Sequence, residues 1–318
     1  MRYRQLGRSG LAVSVVGLGT NNFGRRLDLD GARLVLDAAI DSGINFVDTA
    51  DSYGDQGGSE TIIGQLLEGR RDQVVLATKF GSDMQGSNGP DWGARASRRY
   101  VVRAVEASLR RLRTDWIDLY QLHHPDNKTP LEETLRALDD LITAGKIRYA
   151  GSSNLAGWQV VQADWLARES HIDGFVSAQN HYSLVARQAE DELVPACAAT
   201  GVSVIPFFPL ASGLLTGKWR KGEEPPSGSR LAETWGKAMV ERMQGSQDKV
   251  EGLREFAAQA GVEMTTVAIG WLAAQPTVGS VIAGAMAVDQ VAQNASAADW
   301  RPTKDELAQI DALAPRRS

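Results

Sequence analysis

The chain has one cysteine, Cys197, and four histidines among its 318 residues. A lone cysteine permits no internal disulfide, and in a helix-like stretch Cys197 reads as a small buried apolar residue rather than a redox switch. Only His123 and His124 adjoin, and neighbours on an extended segment point apart, so no metal centre is expected. Basic runs are absent too. Lys and Arg number 34 against 39 Asp and Glu, a formal charge of −5, which sets nucleic acid aside as a partner. No apolar run approaches the roughly 20 residues of a membrane helix, and the opening Met1-Arg2-Tyr3-Arg4-Gln5 lacks the apolar stretch of a secretory signal. Gly17-x-Gly19-x-x-Asn22 lacks the third glycine of a dinucleotide fingerprint. These absences leave a cytoplasmic globule with no membrane partner.

What is present is alternation. β-rich runs at 15–18, 45–48, 74–79, 117–122, 147–151, 175–179, 202–207 and 278–282 are continuously apolar, as parallel strands buried on both faces should be. Helical patterns lie between and after them at 31–42, 60–68, 99–113, 131–144, 158–168, 189–200, 265–274 and 288–297. Val101, Val102, Val105, Leu109 and Leu112 recur at helical spacing, which predicts one buried face. Gly43, Gly145 and Gly201 sit between a helix and the next strand, where a helix C′ residue belongs. The pattern predicts an α/β fold: a (β/α)8 TIM barrel in one domain spanning 1–318. Segments 4–7 and 11–14 predict an N-terminal β-hairpin across the barrel floor. The polar stretch 222–245, with Pro225-Pro226-Ser227-Gly228, predicts a long loop on the C-terminal face.

Four residues stand where strands break into loops. Asp48, Lys79 and His123 end or follow the second, third and fourth strands, and Tyr53 lies just beyond the second. The C-terminal ends of barrel strands carry the active site. A free phenol has a pKa of about 10, and an ammonium alongside is expected to lower it by roughly 1–3. Asp48 would pair with Lys79, neutral His123 would orient a carbonyl, and Tyr53 would protonate its oxygen. None of the four supplies hydride, so a nicotinamide cofactor is implied.

These motifs resemble the aldo-keto reductase family over essentially the whole chain. The likeness rests on Gly17-Leu18-Gly19-Thr20, Asp48-Thr49-Ala50-Asp51-Ser52-Tyr53-Gly54, Thr78-Lys79, Leu122-His123-His124-Pro125-Asp126 and Gly151-Ser152-Ser153-Asn154. Gln179, Phe207-Phe208-Pro209-Leu210, Gly213-Leu214-Leu215-Thr216-Gly217-Lys218 and Ile282-Ala283-Gly284-Ala285 continue it in order. The resemblance implies an NADP-dependent carbonyl reductase with Tyr53 as acid and Asp48, Lys79 and His123 in support. It places Ser153, Asn154 and Gln179 on the nicotinamide carboxamide and Phe207 against the ring. Gly19, Thr20 and Asn21 join the cofactor site. Pro209, Leu210, Ser212, Gly213, Leu214 and Lys218 wrap the pyrophosphate, and Gly284, Met286, Gln290 and Asn294 take the adenine end.

Met286 stands where many relatives carry a Lys, Arg or Ser for the 2′-phosphate, and a thioether cannot pair with phosphate. NADPH is the expected cofactor, with NADH possible. The substrate is expected to be a small carbonyl compound, with Phe23, Trp92 and Trp235 as apolar walls; oligomeric state stays open. Two other classes fit part of the pattern: a cofactor-binding regulatory subunit with little turnover, and a glycosidase pairing Asp48 with Asp118.

Overall fold

The computed structural model describes residues 1–220, 223–224 and 245–316. The stretch predicted as a loop at 222–245, with Trp235, falls almost wholly outside those residues.

A two-stranded antiparallel hairpin, β1 (Tyr3–Gln5) and β2 (Ala12–Ser14), opens the chain. Eight parallel strands follow: β3 (Val16–Gly19), β4 (Phe46–Asp48), β5 (Val75–Phe80), β6 (Ile117–Leu122), β7 (Ile147–Ser153), β8 (Phe175–His181), β9 (Ser203–Phe207) and β10 (Val281–Gly284). They pair in the order β10-β3-β4-β5-β6-β7-β8-β9. The ring closes through Val204, whose N–H donates to Thr277 O at 2.8 Å and whose carbonyl accepts from Gly279 N at 3.0 Å. Pairing with β3 starts only at Val281, three residues past the predicted start.

The connecting helices are α1 (Leu29–Asp41), α2 (Tyr53–Leu66), α3 (Arg98–Leu112), α4 (Leu131–Thr143), α5 (Gly157–Ser170), α6 (Leu193–Thr200), α7 (Gln247–Gln259), α8 (Met264–Ala274), α9 (Val288–Ala297) and α10 (Lys304–Leu313). Gly43, Gly145 and Gly201 are left-handed, as their positions predict. In each case the next N–H reaches back to the last helical turn: Ile44 to Ala39 O, Lys146 to Leu141 O and Val202 to Cys197 O. Helices α7 and α10 are additions to the predicted set. The first buries Val250, Leu253, Phe256 and Ala257, a helical stripe that a strict eight-pair count leaves no slot for.

The hairpin closes the floor as predicted. Leu6, fully buried, packs with Val13, Phe46, Ala77, Leu119, Ile205 and Ile282 inside the barrel. Above this apolar layer the interior turns polar. Register sets Asp48 beside Gly19 and Ala77, and Lys79 beside Gln121, so the polar side chains share the upper end. Among the described residues no helix is long and apolar enough to cross a membrane.

Candidate active site

The three ammonium donors of Lys79 are all engaged. Its Nζ donates to Asp48 Oδ2 at 2.6 Å, to Thr49 O at 2.8 Å and to the Tyr53 hydroxyl at 3.5 Å. Both charged partners are buried, so the pair stands only because further hydrogen bonds satisfy it. Asp48 Oδ1 accepts from Gln121 Nε2 at 3.1 Å and Gln179 Nε2 at 2.8 Å. Room for Gln121 comes from Gly151 on the next strand, where a Cβ would lie 2.6 Å from Ser177 Oγ and 3.1 Å from Gln121 Cγ. Gln121 escapes sequence reading because, inside an apolar run, nothing marks it as a carboxylate brace. Gln179, expected on the carboxamide, also holds the aspartate.

Tyr53 is set by an unusual turn. Gly54, Asp55, Gln56 and Gly57 are all left-handed before α2 winds regularly, so the predicted start at 60 lies closer to the regular helix than Tyr53 does. A Cβ on Gly54 would meet Phe23 O at 2.5 Å and Ser59 N at 2.6 Å, which reserves that position for glycine. The phenol stands edge-on to His123, ring centroids 5.9 Å apart, with Lys79 Nζ 5.0 Å from its ring centre.

The electrostatics differ from expectation at one point. Burial pushes the Tyr53 phenol above its usual pKa; Lys79 opposes this and Asp48 reinforces it, so the ammonium does not win. The phenol is held protonated, as a proton donor requires. Burial also opposes the Lys79 charge, but Asp48 and Tyr53 lift its pKa above the ordinary value. His123 is held neutral, its pKa pushed well down by burial, then by Lys79 and His124. His124 stacks on it at 4.6 Å.

Over this group opens a cavity of about 850 Å³, within the size range of cofactor sites. Asp48, Tyr53 and His123 line it, while Lys79 lies beneath, fully buried. Gly19, Thr20, Asn21, Ser153, Asn154, Gln179, Phe207, Pro209, Leu210, Ser212, Gly213, Lys218, Gly284, Met286, Gln290 and Asn294 also line it. Leu214 does not: it is fully buried in the hydrophobic core. Two expected walls also fail. Phe23 is buried in the core, and Trp92 stands 71% exposed, under the Arg99 guanidinium at 4.4 Å and away from the cavity. Sequence reading passed over Arg26, Glu263, Thr265 and Gln293. Gln293 was within reach, one helical turn from Gln290.

Local geometry holds the rim. Asn154, left-handed, donates from Nδ2 to His123 O and Ser153 Oγ, both at 3.0 Å, and Ser153 Oγ donates to Gln179 O at 2.8 Å. Phe208, Ala211 and Ser212 are left-handed as the chain turns after β9. Gln290 Oε1 accepts from Met286 N at 2.8 Å, and Asn294 Nδ2 donates to Gly284 O at 3.4 Å. Asp118 is bound to Arg71 at 2.6 Å and to Leu76 N at 2.8 Å and does not line the cavity, which removes the carboxylate pair a glycosidase would need. No group of three or more potential metal ligands occurs among the described residues.

The sequence model of the Aldo/keto reductase family matches residues 15–315. The chain belongs to this family. It is 38% identical to an uncharacterized oxidoreductase, YrpG, of Bacillus subtilis, over 99% of this chain and 96% of that protein. A probable voltage-gated potassium channel subunit beta of Oryza sativa subsp. japonica is 37% identical, over 98% and 96%. The L-glyceraldehyde 3-phosphate reductase of Escherichia coli K12 is 34% identical, over 98% and 92%. As an aldo/keto reductase the protein is an oxidoreductase of the carbonyl-reducing kind. The buried Lys79–Asp48 pair, Tyr53 and His123 form its candidate active site.

Proposed function

We propose that this aldo/keto reductase reduces small to medium aldehydes or ketones to alcohols, with Tyr53 as proton donor and NADPH as preferred cofactor, NADH also serving. The observation that carries the reading is the Tyr53 hydroxyl, hydrogen-bonded to Lys79 at 3.5 Å and lining the same cavity as neutral His123. Bound in that cavity, a nicotinamide dinucleotide supplies the hydride. Ser153 and Asn154 reach its carboxamide, and Phe207 offers a stacking face. Around the turn after β9, Phe208, Pro209, Leu210, Ser212 and Gly213 line the part of the cavity that would take the pyrophosphate. At the far end Lys218 is a cation available for a 2′-phosphate, whereas Met286 offers nothing and Glu263 opposes negative charge.

The carbonyl oxygen then lies between Tyr53 and His123. The imidazole orients it by hydrogen bonding, and Tyr53 gives up its proton as negative charge develops on that oxygen. Lys79 stabilises the phenolate left behind, and Asp48 keeps Lys79 in place.

Initial rates with NADPH and NADH and an activated aromatic aldehyde test this in wild type and Tyr53→Phe. The variant is expected to lose about 10²–10⁴-fold in kcat while still binding cofactor. Undiminished turnover would remove Tyr53 from the chemistry. The likeness to the rice channel-subunit protein favours a second reading, a cofactor-binding regulatory subunit with little turnover. Tight dinucleotide binding by a wild type that turns over no carbonyl substrate supports that reading instead.

A further inference from the structure

Beyond the four residues, the Ser82 side chain, like that of Gln121, touches the machinery without reaching the cavity. Strand β5 ends at Phe80, and Gly81 turns the chain out with φ +103. A Cβ on Gly81 would stand 3.3 Å from His124 O and from Leu122 Cδ1, so the exit passes tight against the end of β6. That approach sets Ser82 Oγ 2.9 Å from His123 Nδ1. His123 lines the cavity and Ser82 does not, so Ser82 acts only through the histidine. The backbone of His123 is engaged elsewhere, N–H to Phe80 O at 2.7 Å and carbonyl to Asn154, leaving Ser82 as the hydrogen-bond anchor of the ring.

We propose that Ser82 is a positioning residue that donates its hydroxyl proton to His123 Nδ1, fixing the tautomer that presents Nε2–H to the cavity.

A neutral imidazole carries one N–H, and the two placements are chemically opposite. With the proton on Nδ1, Nε2 turns a lone pair toward the cavity, where it repels a carbonyl oxygen and competes for the Tyr53 proton. With the proton on Nε2, the ring donates to the same oxygen that Tyr53 protonates. Only the second placement serves carbonyl reduction, and it requires Nδ1 to accept. A serine hydroxyl can supply that donor. Burial and the Lys79 charge keep the ring from becoming doubly protonated, so the choice of tautomer persists through the working pH range. The choice of tautomer rests on the proposed reductase reading, since a hydroxyl can donate or accept; the Ser82–His123 contact does not.

The test is imidazole ¹⁵N–¹H correlation NMR on histidine-labelled full-length protein near pH 7.5, with the His123 signals identified by their loss in His123→Asn. Wild type is expected to show an unprotonated Nδ1 and a protonated Nε2. Ser82→Ala should become a mixture of tautomers, and Ser82→Thr, which keeps the hydroxyl, should restore one. In parallel, Ser82→Ala is expected to lose about ten-fold in kcat for aldehyde reduction with cofactor affinity unchanged, and Ser82→Thr to recover most of it. A proton on Nδ1 in wild type, or an unaltered tautomer in Ser82→Ala, overturns the proposal. The expected tautomers in a wild type without turnover would instead leave Ser82 in its place and count against the reductase reading.

Discussion

Asp51 lies two residues before the proposed acid and is fully buried. Its Oδ2 accepts from Asn88 Nδ2 at 3.1 Å, while Oδ1 has no hydrogen-bond partner among the described residues. Burial, with the Glu60 charge behind it, pushes its pKa well above the ordinary carboxyl value, against weaker opposition from Arg111 and Asn88. The carboxyl therefore stays protonated when folded under conditions where the unfolded chain, with a pKa near 3.9, has lost that proton. A raised folded pKa stabilises fully below the unfolded value and fades as pH rises toward the folded one. Through that window Asp51 should lower stability by up to about 1.4 kcal/mol per pH unit. Asp51→Asn, which has no charge to bury, removes this slope. Denaturant unfolding of both proteins from pH 4.5 to 7.5 reads the difference. Parallel stability–pH curves would mean that Asp51 ionises as freely folded as unfolded. The same network carries a lesson about legibility. Asp48, Tyr53, Lys79 and His123 were visible because each sits at a strand mouth, whereas Gln121, Glu60 and Arg111 were not. Their roles come from register and from the α2–α3 contact, which only the folded chain brings together.

Where two elements approach closely, a single methyl group is decisive. On α2, Gly64 faces the C-terminal end of α3, and a Cβ there would fall 2.7 Å from Leu112 C and 2.9 Å from Leu112 Cα, with Arg111 O closer still. Alanine improves intrinsic helix propensity by about 1 kcal/mol. Forcing backbone apart in a packed interior costs about 1–3 kcal/mol. The clash is with main chain, which cannot rotate away, so Gly64→Ala should destabilise on balance. It should also weaken the nearby bond between Arg111 Nε and Glu60 Oε2, now 2.6 Å. Thermal and denaturant unfolding check the sign, and a more stable variant would show that α2 and α3 can separate cheaply. Strands and most helices were readable because buried parallel strands are continuously apolar and helices end on left-handed glycines. Element edges were less so. The helical start after Tyr53 is blurred by four left-handed residues, two of them Asp55 and Gln56, which local propensity does not foretell. The segment predicted as one helix at 189–200 divides into a short 3₁₀ turn, Gln188–Glu190, and α6, which carries Pro195 in its first turn.

At the scale of the whole molecule, the barrel divides its interior by height. Leu6 and its apolar neighbours fill the lower end, and the Asp48–Lys79–Gln121–Gln179 group fills the upper end directly beneath the cavity. A dinucleotide bound in this cavity would touch lining residues carried on β3, β7, β8, β9 and β10 at once, so its binding energy should appear as stability of the entire barrel. A ligand that binds only the folded state stabilises it by about 2.7 kcal/mol at a concentration of 100 times Kd. At equal concentrations, a tenfold tighter grip on NADPH than on NADH adds about 1.4 kcal/mol to the NADPH shift. If the proposed NADPH preference holds, Lys218 on the cavity lining is the cation assigned to the 2′-phosphate, while Met286 and Glu263 offer it nothing. Lys218→Ala should therefore bring the two melting shifts together by weakening NADPH alone, and Met286→Arg should spread them apart. Melting curves of the three proteins with each dinucleotide separate the contributions without any catalytic turnover. If Lys218→Ala lowers both shifts equally, the lysine serves the pyrophosphate common to the two cofactors, and the 2′-phosphate preference has to come from another residue.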